Sequence, residues 1–241
     1  MPATAAQSLQ DYSLDLQILP LDVFGSPLRS VSRITITNTT AAAVGATTMS
    51  LSAASAVTIR GGSALSFVNP SGSGTYGRQQ VLFINDVNLT TTASTVAVSP
   101  LTRSIAASNT ASFVTGMFPL LGITQLDLNN QETQVDTTNF GSDTGTEMQL
   151  IRVQRQLTVN GISMAGDQAL ETIVKPCGGL SSAFVGREIY AVATKPNGEI
   201  FEGAAEIMAL NFPASQNEVD KYSFNLNFQG NTFRWTPPYY F

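Results

Sequence analysis

The chain has 241 residues and a formal net charge of −5, which results from 12 Lys and Arg against 17 Asp and Glu. It contains no His and one Cys, which excludes imidazole-based acid–base catalysis, zinc sites of the His or Cys type and a disulfide within the chain. The acidic balance also argues against sequence-independent binding of nucleic acid, because such binding depends on Lys and Arg at the phosphates.

Neither a targeting segment nor a membrane span is expected. The first ten residues lack the positive and apolar regions of a signal peptide. No apolar run approaches the roughly 18 residues that a membrane-spanning helix needs, so we predict no insertion into a membrane.

The composition changes along the chain. Residues 34–126 include 28 Ser and Thr among 93 positions and only four charged residues, with a net charge of +2. The flanks carry the other 9 basic and 16 acidic groups, a net charge of −7. This shift predicts an inserted Ser/Thr-rich β-domain over residues 34–126, and a second β-domain formed by residues 1–33 and 127–241.

The inserted segment contains a weak two-fold internal repeat, because residues 48–67 align with residues 95–113 after one deletion. Alternating apolar positions in both copies predict strands and a small pseudo-symmetric sandwich or barrel. Chance similarity between two Ser/Thr/Ala-rich segments is the alternative. The matched apolar positions are Met49 with Val96, Leu51 with Val98, Ile59 with Ile105, and Phe67 with Phe113.

The outer segments are predicted to be mainly strands, because apolar and polar residues alternate in them. The turn Pro196-Asn197-Gly198 predicts a hairpin between two of these strands. In chain order, strands are predicted around residues 11–22, 151–159, 188–194, 199–210 and 222–228.

One short helix is predicted from Asp167 to Val174. Asp167 stands where an N-cap or first-turn acid is expected, and Leu170 and Ile173 belong to its apolar stripe. Pro176 is expected to stop the helix. The predicted fold class is therefore all-β with one short packing helix.

No motif in the chain favours catalysis. Residues 72–77 match GxGxxG, but a strand-like run follows them instead of a helix, so we interpret them as a hairpin loop. Cys177 has no His to activate it. Acid pairs such as Asp136 with Asp143, or Glu199 with Glu202, are better explained as solvated strand faces than as a glycosidase site. We predict no enzymatic activity, cofactor or metal site.

The order of elements in the C-terminal half carries a resemblance. Val135-Asp136-Thr137-Thr138 leads to Phe140-Gly141-Ser142, and a strand then ends in Asn160-Gly161. After the helix come Phe201-Glu202-Gly203-Ala204-Ala205 and the strand of residues 222–228, which ends in Gln229-Gly230. This order resembles the tail tube (major tail) proteins of long-tailed bacteriophages over about residues 127–232, together with the strand near the N-terminus.

The resemblance implies a tail-tube-type β-sandwich packed by one helix. Its subunits would associate into six-membered rings that stack into a tube for DNA, with inner strands joined in one barrel around the lumen. The implied partners are other copies of the chain, the tape measure, terminator and baseplate proteins, the sheath of a contractile tail, and DNA in passage. The implied location is the virion tail, after assembly in the host cytoplasm. The inserted domain and the apolar C-terminus depart from the family pattern.

The resemblance also suggests which residues carry the function. A conduit for DNA should repel phosphates, so acids on or beside predicted strands are candidates for the lumen, with outer solvent as the alternative. The segment from Asp127 to Met148 and the C-terminal tail are candidate assembly elements, and Arg152 and Arg155 are expected on opposite strand faces. The lumen candidates are Asp15, Glu188, Glu199 and Glu206. The assembly candidates are Asp136, Phe140, Arg152, Arg155, Trp235, Tyr239, Tyr240 and Phe241.

Two other functions stay open. A tail-terminator or baseplate-hub protein shares the fold but forms a single ring. A carbohydrate-binding β-sandwich is an alternative from another class, although the inserted segment offers few aromatic side chains for sugar stacking, among them Phe67 and Phe113. An enzyme is the weakest of the alternatives.

Overall fold

The computed structural model describes residues 14–21, 31–69, 77–136, 148–180, 188–213, 220–230 and 232–238. Within these ranges the chain forms sixteen strands and one short helical segment. The prediction of an all-β fold with one short helix is confirmed. Residues 70–76, which include most of the GxGxxG match, lie outside the described ranges, and the antiparallel strands β5 and β6 flank them.

The strands fall into one large and three small sheets, all antiparallel where pairing is described. In chain order they are β1 Asp15–Pro20, β2 Arg33–Asn38, β3 Thr48–Ala53, β4 Val57–Ile59, β5 Ala64–Asn69, β6 Gly77–Leu82, β7 Val87–Leu89, β8 Ser94–Ala97, β9 Thr110–Val114, β10 Phe118–Leu120, β11 Ile123–Asp136, β12 Met148–Ile162, β13 Glu188–Thr194, β14 Ile200–Asn211, β15 Lys221–Phe228 and β16 Arg234–Thr236.

The large sheet has eight strands in the order β10-β1-β13-β14-β15-β12-β11, with β16 paired to the start of β14. It is an open sheet whose described edges are the short strand β10 and the long strand β11. The predicted hairpin at residues 195–198 joins β13 and β14, and Gly198 takes the left-handed conformation there with φ +83°. Strand β13 has the bounds expected from the alternation of residues 188–194.

One face of the large sheet packs against the helical segment and forms the first core. Leu157, Phe224 and Leu226 from the sheet and Leu170 and Val174 from the helical segment are all buried there. Tyr222 belongs to the same layer, and its hydroxyl donates a hydrogen bond of 2.9 Å to the carbonyl of Leu121. The period-2 alternation of β15 therefore selects the face that the helical segment covers.

The helical segment differs from its prediction in its geometry and its end. Asp167 caps it as expected, because its Oδ1 accepts from the Leu170 N–H at 3.0 Å. The segment consists of two π-helical turns, Leu170–Val174 and Pro176–Leu180. Pro176 therefore does not stop the helix. It is the first residue of the second turn, and Gly179, with φ 111°, lies inside that turn at a kink.

The second core lies within the inserted segment and joins three small sheets, namely β8-β3-β2-β9, β4-β7 and β5-β6. Strands β3 and β8, which the repeat aligns with each other, pair directly, with Met49 opposite Val96. All eight matched apolar positions of the repeat are buried in this core. That burial explains why these positions are apolar, while the repeat itself stays a prediction.

The two cores meet across the large sheet. Tyr190 of β13 belongs to the second core, and Arg33 donates hydrogen bonds of 2.8 Å both to the Tyr190 hydroxyl and to Glu202 Oε2. The inserted segment also contributes β10 to the large sheet, and β11 runs without a break through the predicted boundary at residues 126 and 127. The division into two domains stays a prediction, and the structure shows extensive contact between its two parts.

Two glycines of the quoted motifs have a packing reason. Gly203, in the Phe-x-Gly-x-Ala segment, allows the chain after β15 to cross the sheet, since a Cβ there would lie 3.0 Å from Cα of Phe233. Gly161 lies opposite Tyr222, and a Cβ at this position would overlap the tyrosine ring. These positions therefore need glycine for space, because their φ angles are ordinary.

We predict that Gly161→Ala lowers the free energy of unfolding by about 1–3 kcal/mol, the usual cost of overpacking a core. Urea titration followed by circular dichroism measures this change. Gly230→Ala is the matched control, because a Cβ at Gly230 meets no atom within 4 Å. Equal stability of the two variants would contradict the assignment.

Candidate assembly surface

A two-stranded arm extends beyond the large sheet. Strand β15 pairs with β12 only over residues 155–162, whereas β11 pairs with β12 as far as Asp136 and Met148. We use "the arm" for residues 130–136 of β11 and 148–154 of β12. At about 3.4 Å per residue its seven residues on each strand reach about 24 Å. The connection at residues 137–147, which includes Phe140, lies outside the described ranges.

The register divides the side chains of the arm between two faces. One face continues the core side of the sheet, and we call its exposed part the arm stripe. The opposite face carries Arg152, Thr133 and Gln149. Arg155 shares the core-side face, so the prediction that Arg152 and Arg155 lie on opposite faces is confirmed by the register. The arm stripe consists of Met148, Leu150, Val153, Asn130, Glu132, Gln134 and Asp136.

Several apolar side chains of the arm are exposed to solvent. The exposed fraction is 54% for Met148, 50% for Leu150 and 44% for Val135. A two-stranded ribbon on its own is marginally stable in water, and this ribbon adds no described residue to either core. Asp136 and Arg152, both predicted as assembly residues, lie here and are exposed.

The other side of the large sheet is uncovered and polar over β14, β15, β12 and β11. We call it the polar face, and none of its members is buried. Its amides bond to one another: Gln156 Nε2 donates to Asn227 Oδ1, and Asn160 Nδ2 donates to Gln125 Oε1, each at 3.0 Å. Its members include two acids and one cation, Lys221. They are Gln125, Asp127, Asn129, Gln156, Thr158, Asn160, Ile162, Glu206, Met208, Lys221, Ser223, Asn225 and Asn227.

The structure separates the four acids predicted for the lumen. Glu188 and Glu206 lie directly opposite each other on β13 and β14, next to the polar face. Glu199 lies apart from this pair, in the turn between β13 and β14, where the Nζ of Lys195 is 3.0 Å from its Oε2. Asp15 is buried, with an exposed fraction of 3%. The prediction that Asp15 contributes charge to a lumen is therefore wrong, because the inserted segment covers its side of β1.

Burial also determines the ionisation of Asp15. Desolvation raises the pKa of this carboxyl to about 7, although a hydrogen bond from Gln17 and one from the Ala64 backbone act in the opposite direction. Gln17 Nε2 donates to Asp15 Oδ2 at 2.7 Å and to the Ala64 carbonyl at 2.6 Å. Near neutral pH the protonated acid is therefore a substantial part of the population, unlike that of a solvent-exposed aspartate.

A pH dependence of stability follows from this shift. Because the folded protein binds the Asp15 proton more tightly than the unfolded chain, the stabilisation is complete below pH 3.8 and is lost as the pH rises to about 7. We predict that Asp15→Asn removes a slope of up to about 1.4 kcal/mol per pH unit from the unfolding free energy in this interval. Urea titrations at several pH values measure the slope, and parallel curves for both proteins would contradict the prediction.

Two other assembly candidates lie on the core-side face at the base of the arm. The guanidinium of Arg155 lies over the Phe233 ring, 4.8 Å from its centroid. Trp235 in β16 is 56% exposed, and its Nε1 donates a hydrogen bond of 2.8 Å to Glu199. The remaining candidates, Tyr239, Tyr240 and Phe241, lie outside the described ranges.

An open groove of about 700 Å³ lies between the base of the arm and β16. One wall includes Leu128 and Arg155, and the opposite wall includes Phe201, Phe233 and Trp235. We call this "the groove". Sequence analysis missed Phe233 and Leu128 as surface residues of interest. The only available signal was the aromatic pair Phe233 and Trp235 flanking Arg234.

The described residues contain no group of three or more His, Cys, Asp or Glu that could hold a metal ion. Among these residues, no helix is long and apolar enough to cross a membrane. Cys177 is buried at the helical segment.

Comparison with known proteins gives a distant likeness only. No family model matches the sequence, and no curated protein is similar to it. One chain from a structure described as the tail of an empty GTA particle, computed with helical refinement and C6 symmetry, has 16% identity and a TM-score of 0.39, covering 50% of this chain and 87% of that chain. A chain from the virion of a native gene transfer agent (GTA) particle has 15% identity and a TM-score of 0.39, covering 50% and 89%. These scores are too low to establish a shared fold.

Proposed function

We propose that this protein is a structural, non-enzymatic subunit of a phage-type tail, and that its copies form six-membered rings stacked into the tail tube. The observation that carries the proposal is the arm with its exposed apolar side chains, which continues from an open sheet edge. In a single copy these apolar side chains are exposed to water. Contact with other copies would cover them. The order of motifs in the sequence supports the same function.

The edge of the sheet supports self-assembly. Strand β11 has fourteen residues and only one neighbouring strand, β12, among the described elements. Long exposed edges template pairing with another chain, and proteins usually block them with Lys or Pro. Strand β11 contains neither residue, although it carries three acids and two register irregularities. We infer that an edge of a neighbouring copy covers it, and that closure around a ring satisfies the edges of all copies.

The polar face is suited to the wall of a DNA conduit. Lys and Arg on such a wall would hold DNA through many phosphate contacts, and the described members of this face include a single such residue, Lys221, at the start of β15. Asp127 and Glu206 give it negative charge, and Glu188 lies opposite Glu206.

The inserted segment leaves the polar face open. It covers the same side of the sheet at β1 and β13, but three strand steps separate β13 from β12. At about 20–25° of twist per step, these parts of the sheet differ in direction by roughly 60–75°. We propose that the inserted domain lies beside the lumen wall, on the tube exterior or between rings, and that the partners are the tape measure, terminator and baseplate proteins, with the sheath in a contractile tail.

A single closed ring, as in a tail terminator or baseplate hub, uses the same edges and is the second candidate. A carbohydrate-binding role gains no support, because Phe67, Phe83 and Phe113 are all buried in the second core and cannot stack on a sugar. Electron microscopy of the purified protein over a concentration series distinguishes tubes of growing length from rings that never stack.

We predict that Leu150→Lys in the arm abolishes tubes while the subunit stays folded, because a buried apolar contact between copies becomes a desolvated charge. Electron microscopy measures the tubes, and circular dichroism with urea titration checks the fold. Val44→Lys is the control, since Val44 is 65% exposed in the inserted segment, away from the arm. Normal tubes from Leu150→Lys would count against the proposal.

A second prediction concerns the wall of the tube. Tubes of the double variant Glu188→Lys and Glu206→Lys should form normally and retain short duplex DNA at low salt, whereas wild-type tubes release it. Retention should fall steeply as salt is raised, because it arises from phosphate contacts. Co-sedimentation of labelled duplex measures it. Glu171→Lys, on the helical segment, is the control. Equal release from all three kinds of tube would argue against a lumen position for the glutamate pair.

A further inference from the structure

We infer that the groove is the docking site for the arm of a second copy of this chain. This inference rests on the proposed self-assembly and names the surface that receives the arm. The arm stripe of one subunit would lie in the groove of the next, with Met148 and Leu150 against the groove aromatics Phe201, Phe233 and Trp235.

Apolar surface is present on both sides of the proposed contact. The arm stripe offers Met148 and Leu150, each at least half exposed, and the groove offers the indole of Trp235, which is 56% exposed. Aromatic side chains in a pocket are typical anchors of protein interfaces. The groove is open and lies between two β-elements, the base of the arm and β16.

The charges favour the same pairing. Lys195 and Glu199 of the groove already bond to each other, and Asp127 accepts a hydrogen bond from Gln125. Arg155 forms no ion pair among the described residues and contacts the Phe233 ring instead. In the arm stripe, Glu132 and Asp136 lie on the same face as the apolar residues. The acids of the arm stripe are therefore complementary to the Arg155 guanidinium, and its apolar residues are complementary to the aromatic side chains of the groove.

Other surfaces fit the arm less well. Among the described residues, the polar face has two apolar members, Ile162 and Met208, and one cation, Lys221, but no aromatic side chain. The outward positions of β2 and β3, in the sheet formed by β8, β3, β2 and β9, are mainly Ser and Thr. The cavity of about 170 Å³ between the two cores is lined by the residues that connect them, including Arg33 and Glu202, so it has no room for a strand ribbon.

Crosslinking between two single-cysteine chains tests this contact. Both chains carry Cys177→Ala, and one carries Leu150→Cys while the other carries Trp235→Cys and a mass tag. After mixing, assembly and treatment with a short bismaleimide, we expect a mixed dimer that needs both cysteines. Gln149→Cys, the neighbouring residue on the opposite arm face, replaces Leu150→Cys in the control. A mixed dimer equally strong with Gln149→Cys, or no dimer at all, would overturn the inference.

A charge exchange gives a second readout. Arg155→Glu should raise the protein concentration at which tubes appear by at least about tenfold, because it removes the cation that faces two acids. Adding Glu132→Arg and Asp136→Arg to the same chain should restore assembly. Arg152→Glu, on the opposite face of the arm, should change the concentration little. Failure of the exchanged chain to recover, when circular dichroism shows it folded, would contradict the pairing.

The two proposals fail in different ways. If wild-type protein forms tubes but the cysteines at positions 150 and 235 never crosslink, the groove is not the docking site and the tail-tube proposal stands. If the crosslink forms in small assemblies and no tube appears under any condition, the docking site is correct and the tube proposal is wrong.

Discussion

Fourteen residues of β11 present one side of their backbone without a strand partner in the described structure, and this open edge governs the rest of the molecule. Backbone N–H and C=O groups need partners when they are removed from water. The subunit therefore cannot bury this edge by itself, and it leaves the strand and its continuation into the arm polar and exposed. The alternating polarity of β11 and β12 then decides which side faces the core and which stays in solvent.

The inserted segment changes the burial of polar residues on β1 and β14 of the large sheet. It buries Asp15, Gln17 and Glu202, which the alternation of β1 and β14 would otherwise expose. Two of these groups gain a partner: Gln17 bonds to the Ala64 carbonyl, and Glu202 pairs with Arg33, the residue directly before the inserted segment. These side chains make the contact specific, because substitution of one partner would leave the other buried group without a hydrogen bond. The inserted segment is thus fixed to β13 and β14 by several side chains.

Local patterns in the sequence predicted much of the first core. The alternation in β13 and β15, the turn at Gly198 and the Asp167 cap all depend on near neighbours in the chain, and these features are confirmed. The burial of Asp15 depends on a segment far away in sequence, so alternation alone assigned it to the wrong environment. The arm lacks a consistent alternation, and its length was therefore underestimated. The groove combines residues 128, 155, 201, 233 and 235, which no local pattern connects.

The arm and the groove lie on one subunit but are different surfaces, so a contact between them is heterologous. Repetition of such a contact cannot pair two subunits off symmetrically; it must close into a ring or continue as a filament. An assembly that continues in this way has two unlike ends, one presenting unfilled grooves and the other presenting unoccupied arms. Each end then offers a different chemical surface, and a protein that starts the assembly and a protein that caps it need share no binding feature.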